Sequence, residues 1–227
     1  PAGQPRGGFG SVRQPPAACQ LTNRSHDWRR CRADSFRALV ALRDAGLISA
    51  CGVSNFAPRH LRQLREDLAD AASAAGGGVP PRRRRTPGAP SLPLAAPPAS
   101  APWPPDLLQT EVHPWWREEG LLDFCRAEGI RVVAFGSLGS PEEKGAALAD
   151  PVVQRVARAE GLSSAQVLLR WAVQLGLHVI PTTTKDAHMR EALDVAGPGA
   201  GALSANAMEV LGRLPQRAAR IYDPDPE

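Results

Sequence analysis

Four short apolar runs, each followed by a segment of helical periodicity, place this chain in the α/β class with a parallel sheet. The runs are 48–53, 107–112, 130–135 and 177–181. The 227 residues, 43% of them hydrophobic, suffice for a domain with a substantial core. Four β/α units are too few to close an eight-stranded barrel, so two open sheet edges are expected.

The elements follow in order. Residues 1–33 hold Pro, Gly, Arg and Gln with few apolar anchors and are read as an irregular N-terminal segment. Asp34 or Ser35 can cap a helix carrying Phe36, Leu39 and Val40 on one stripe, and Gly46 can end it. Ile48 to Val53 is a candidate buried strand. Pro58 to Leu68 repeats Leu at 61, 64 and 68, the stripe of an amphipathic helix. Residues 71–105 are Ala, Gly and Pro with four successive arginines, and hold ten of the 23 prolines. Proline lacks the N–H of helices and sheets, and this composition cannot bury a core, so the segment is read as a long disordered insertion.

Order returns with a strand at 107–112, a helix at 117–128 stopped by Gly129, and a strand at 130–135. Asp150-Pro151 is a cap followed by a first-turn proline, opening a helix interrupted at Gly161. Ser163 or Ser164 starts a second helix that ends at Gly176. A strand at 177–181, a helix at 186–195 and a last helix capped by Ser204 complete the pattern, before a polar tail at 216–227. The ordered parts are thus 34–70 and 106–215.

Composition excludes some function classes. No apolar run approaches the roughly 20 residues of a membrane span, and no signal peptide opens the chain. The first residue is Pro1, so the numbering is read as starting inside a longer product. Cys19, Cys31, Cys51 and Cys125 lack paired metal spacing; Cys51 and Cys125 read as reduced core thiols, and a cytoplasmic location is the default. The net charge of +4 is concentrated partly in Arg82 to Arg85. That run has no interleaved aromatics, so it reads as a solvated loop, not a nucleic-acid contact.

Each block with chemical character falls at the carboxy end of a strand, where β/α folds place their sites. These blocks are Gly-Val-Ser-Asn-Phe at 52–56, Gln-Thr-Glu-Val-His-Pro at 109–114, Val-Val-Ala-Phe-Gly-Ser-Leu-Gly at 132–139 and Val-Ile-Pro-Thr-Thr at 179–183. In this order the chain resembles the carboxy-terminal half of the aldo-keto reductase family, over roughly residues 34–214 without the insertion. The fold this implies is an incomplete TIM (β/α)8-type barrel.

The resemblance further implies a nicotinamide nucleotide, NADP or NAD. In that family a Ser-Asn pair and a Gln bond the nicotinamide carboxamide, and Ser54, Asn55 and Gln109 stand at the matching places. An amide needs donors and acceptors, which Asn and Gln supply. Phe135 takes the place of the ring-stacking aromatic. Gly136, Ser137, Leu138, Gly139 and Ser140 match the loop that wraps the pyrophosphate. At the adenosine end, Thr182 and Thr183 replace the family's usual Lys-Ser and His188 replaces an Arg, while Glu191 keeps an acidic position. Losing Lys and Arg removes fixed charge near a 2′-phosphate, so a weakened NADP preference is expected. Lys185 is near enough in sequence to compensate.

The family's acid, a Tyr assisted by Lys and Asp, precedes the alignable region. The one tyrosine is Tyr222, in the tail, and the lysines are Lys144 and Lys185. His26 falls near the place of the family's histidine, but without a flanking strand it reads as a solvated loop residue. His60 and His178 read as helix-surface and strand residues, and His113 as a strand-end structural or substrate-facing one. No metal site is expected. The implied reaction is NAD(P)H-dependent reduction of an aldehyde or ketone, weak or absent in the chain as written. The alternative is a non-catalytic nucleotide-binding scaffold or regulatory subunit with a partner over an open sheet edge.

Overall fold

The computed structural model describes residues 28–74, 102–139, 145–197 and 200–217. His26, Ser140, Lys144, Tyr222 and residues 75–101 of the expected insertion lie outside them. The order is α1 (Trp28–Asp44), β1 (Gly52–Ser54), α2 (Pro58–Ala74), β2 (Leu107–Glu111), α3 (Glu119–Glu128), β3 (Arg131–Phe135), α4 (Ala146–Ala149), α5 (Pro151–Glu160), α6 (Ser164–Gln174), β4 (His178–Val179), α7 (Asp186–Asp194) and α8 (Ala205–Gly212). The strands form one sheet in the order β1-β2-β3-β4, every pair parallel. Four consecutive β/α units are therefore present, as the alternation of patterns predicts.

Local chemistry sets most helix ends. Asp150 accepts from Val152 N and Val153 N at 2.8 and 3.1 Å, and Pro151 fills the first helical position, where its missing N–H costs nothing. Ser163, not Ser164, caps α6 in a reciprocal box with Gln166. Ser204 accepts from Ala207 N at 3.1 Å. Gly129 and Gly161 end α3 and α5 in the left-handed conformation.

Several boundaries differ from the sequence reading. Helix α1 begins at Trp28, six residues before the expected cap, so Asp34 lies inside it and pairs with Arg37 at 2.7 Å. Arg29 reaches Asp67 of α2 at 2.7 Å, a tertiary tie that no local pattern announces. Helix α2 runs to Ala74, into the segment assigned to the insertion. At the far side of that segment Trp103 already packs on the fold: its Nε1 donates to Glu128 at 2.9 Å and its ring meets Phe124 edge-on.

The sheet is covered on one face. Val53, Leu108, Val112, Val132 and Ala134 are buried in one core with Leu61, Leu64, Leu121, Leu168 and Trp171 from the helices. On the opposite face Leu107, Gln109, Arg131, Val133 and Phe135 stay half-buried, and Ser54 and His178 are exposed. Side chains alternate across a strand, so register keeps these residues on one open face. At the amino end Asp106, buried, accepts from Cys51 N at 2.7 Å and ties β1 to the start of β2. Cys51 and Cys125 are free, buried thiols. Burial pushes Cys51 up from its ordinary range and Cys125 up to about 11.

Candidate functional site

Parallel strands bring their carboxy ends to one rim, and the four blocks sit there. On β1 and β2, Ser54 and Gln109 are register partners, and Asn55 N donates to Gln109 O at 2.8 Å. Asn55 has φ 59°, a left-handed conformation that Asn tolerates better than most residues. That kink ends β1 and leads into the loop before α2. The loop is pinned by His60, whose Nδ1 accepts from Ala57 N at 3.2 Å while its ring meets Phe56 edge-on. His60 is thus buried at the foot of α2, not on the helix surface as expected; its bond back to the loop amide draws the ring inward. His178 is an exposed strand residue, as expected.

Phe135 lies two positions beyond Val133, the residue paired with Gln109, and on the same open face. It leads into a turn in which Gly139 N donates to Gly136 O at 2.9 Å, with both glycines at positive φ. Ser137 is buried, its hydroxyl 3.5 Å from the Ala134 carbonyl, and Leu138 packs against the core. What this turn can offer an anion is therefore its backbone rather than the Ser137 hydroxyl.

After β4, Thr183 Oγ1 accepts from Lys185 N at 3.1 Å and lies 3.5 Å from His188 Nδ1, at the amino end of α7. Thr182 and His188 are exposed and Glu191 half-buried. The structure thus groups Ser54, Asn55 and Gln109 on adjoining strands, with Phe135 farther along the same face. Thr182, Thr183, His188 and Glu191 form a second group beside the edge strand. Among the described residues, no cluster of His, Cys, Asp and Glu could hold a metal ion, and no helix is long and apolar enough to cross a membrane.

One pair stands out that the motif reading left apart. Glu111 Oε1 and His113 Nε2 are 2.9 Å apart with both side chains wholly buried. His113 is therefore a structural strand-end residue, not a substrate-facing one. The spacing i, i+2 places both residues on one side of an extended chain, the signal that could have joined them.

Residues 96–198 match the Aldo/keto reductase family. The chain is 32% identical over 166 residues to aldo-keto reductase family 4 member C11 of Arabidopsis thaliana, covering 72% of this chain and 42% of that protein. It is 30% identical over 196 residues to a probable NAD(P)H-dependent D-xylose reductase of Emericella nidulans, covering 82% of this chain and 51% of that one. A crystal structure of a Gox0644 mutant in complex with NADPH superposes with a TM-score of 0.62 at 25% identity, covering 86% of this chain and 57% of that chain. The chain spans about half the length of the curated relatives it matches. In its four parallel β/α units, the order of its motifs and these matches, the chain is similar to the carboxy-terminal half of the aldo/keto reductase family.

Proposed function

We propose that the rim residues form the nucleotide-binding side of an NAD(P)H-dependent reductase that converts an aldehyde or ketone to an alcohol. The observation that carries this reading is the juxtaposition of Ser54 and Gln109 in register, with Asn55 bonded to the same strand and Phe135 farther along the open face. The donor set fits the group. A nicotinamide carboxamide offers two N–H donors and an oxygen acceptor, and Ser, Asn and Gln can meet both kinds. A half-buried phenyl ring suits one face of an aromatic heterocycle. The Gly136–Gly139 turn presents backbone amides without a Cβ at its two ends, which suits phosphate oxygens. Thr182, Thr183 and His188 would face the adenosine end without the fixed charge that a 2′-phosphate favours.

When bound, the dihydronicotinamide supplies the hydride. This chain's residues bind and orient it: Ser54, Asn55 and Gln109 hold the amide, and Phe135 holds the ring plane. The chain's single tyrosine, Tyr222, lies in the tail, so we assign no general acid and expect turnover by the chain alone to be weak or absent.

The test is titration of the purified 227-residue chain with NADPH and NADH, followed by tryptophan fluorescence or calorimetry. Saturable binding that Gln109→Leu and Asn55→Ala weaken supports the reading; binding of neither nucleotide refutes it. Carbonyl-dependent NADPH oxidation by the same chain would overturn the expected inactivity. A second reading, a nucleotide-binding subunit covered by a partner, is favoured by the half-buried apolar residues Leu107, Val133 and Phe135 on the open face. A stoichiometric co-purifying partner would decide for it.

A further inference from the structure

Glu111 and His113 have no part in the reading above, yet theirs is the most deeply buried contact between a carboxyl and a basic side chain among the described residues. Burying a carboxylate is costly unless it is bonded, and apolar side chains of similar volume often fill such space at lower cost. What the pair adds is direction. The 2.9 Å bond joins His113 Nε2 to Glu111 Oε1. Nδ1 is buried without a partner, so this is the ring's one side-chain hydrogen bond among the described residues, and it fixes the ring's orientation.

Both ends of the pair are anchored to something. Glu111 is the register partner of Phe135, and Val112 N donates to Phe135 O at 3.2 Å. A Cβ placed on Gly136 would lie 3.6 Å from Glu111 Cγ, so the carboxylate's stem lies against the turn that follows Phe135. His113 exchanges backbone bonds with Trp116 at 3.0 and 2.9 Å, and its ring lies 5.9 Å from that of Trp115. The carboxy-terminal segment then closes on the same turn. Gln216 Nε2 donates to Pro114 O at 2.9 Å, Arg217 N donates to Trp115 O at 2.8 Å, and the Arg117 guanidinium donates to the Pro114 and Gly212 carbonyls.

We propose that the Glu111–His113 pair is a positioning element for the nicotinamide subsite: held from behind by the 113–117 turn and the segment that clasps it, it sets where Phe135 and Gly136 stand. This rests on the reading that those two residues meet a nicotinamide nucleotide. It assigns Glu111 and His113 no contact with the reacting atoms.

The test separates the two ends of the nucleotide. The full chain and its variants are titrated with NADH and NADPH and, in parallel, with ADP-ribose and its 2′-phosphate, which lack the nicotinamide ring. Glu111→Leu removes the bond at similar volume, while Glu111→Gln keeps an oxygen acceptor. E111L is expected to weaken the dinucleotide about tenfold and ADP-ribose less than about twofold, with E111Q within about threefold of the parent. Gln216→Ala, at the surface, loosens the same turn without opening the core and is expected to give the same selective loss, about threefold. It carries the test if E111L does not fold. Equal losses for both probes, or no loss in any variant, overturn the positioning role while the nucleotide reading stands. If the parent binds no dinucleotide, that reading fails and the positioning role falls with it.

Discussion

Gly52→Ala tests the fold and the site together. Gly52 pairs with Leu107 at the start of the β1–β2 ladder. A Cβ there would sit 2.5 Å from the Leu107 carbonyl oxygen and 2.6 Å from its Cγ and Cδ1. The side-chain atoms can swing away, but the carbonyl belongs to the strand and cannot move without opening the ladder. Overpacking of this kind costs about 1–3 kcal/mol. Alanine recovers about 0.4–1 kcal/mol by narrowing the unfolded ensemble. Because the closest contact is backbone, the upper half of the cost applies, leaving a net loss of about 1–2.6 kcal/mol. The strand that shifts carries Ser54 and Asn55, so nucleotide affinity should fall as well. Urea denaturation should show a lower midpoint at unchanged slope, with dinucleotide titration alongside. Gly120→Ala is the control: nothing lies within 4 Å of its added methyl, and a helical Gly→Ala change should gain about 0.5–1 kcal/mol. If G52A matches the parent within about 0.5 kcal/mol and binds as well, the tight β1–β2 approach is not what sets the rim.

Other perturbations follow from single sites. Asp106→Ala removes the acceptor of the Cys51 amide and leaves Arg43, 3.8 Å away, without that carboxylate; urea denaturation should show a loss of about 2–3 kcal/mol. The Cys125 thiol is protonated in the folded chain up to about 11, against an ordinary 9.0. Its unfolded form therefore loses the proton first, and its contribution to stability, full below pH 9.0, should fade as pH rises towards about 11. Denaturation midpoints across that window should fall less in Cys125→Ala than in the parent. On the proposed nucleotide reading, Thr182→Lys adds fixed charge at the adenosine end, and paired titrations should show preference for NADPH over NADH rising about tenfold.

What the sequence made legible is what neighbouring residues decide among themselves. Asp150-Pro151, Ser163 and Ser204 were readable as helix starts because their side chains bond amides two or three residues on. The start of α1 was not, because its first turn is tied by Arg29 to Asp67, far away in the chain. Nor was the packing of Trp103, which depends on Phe124 and Glu128 across the fold. Strands β1 and β4 are shorter than their apolar runs because a strand extends only as far as a neighbour pairs with it.

The site divides in the same way. Chain order alone gathers Ser54, Gln109 and Phe135 at one rim, since parallel strands share a direction. Which side of the sheet they occupy is settled by helix packing: helices cover the face of Leu108, Val112 and Val132, and the other parity is left open. The burial of Glu111 and His113 needed one step more. It depends on the turn at 113–116 and on a segment about a hundred residues later that closes over it. Glu111 shares strand parity with Gln109 yet is sealed where Gln109 is half-open. Along β2, then, the open face ends where that turn begins, and the boundary between open and sealed surface lies between residues 109 and 111.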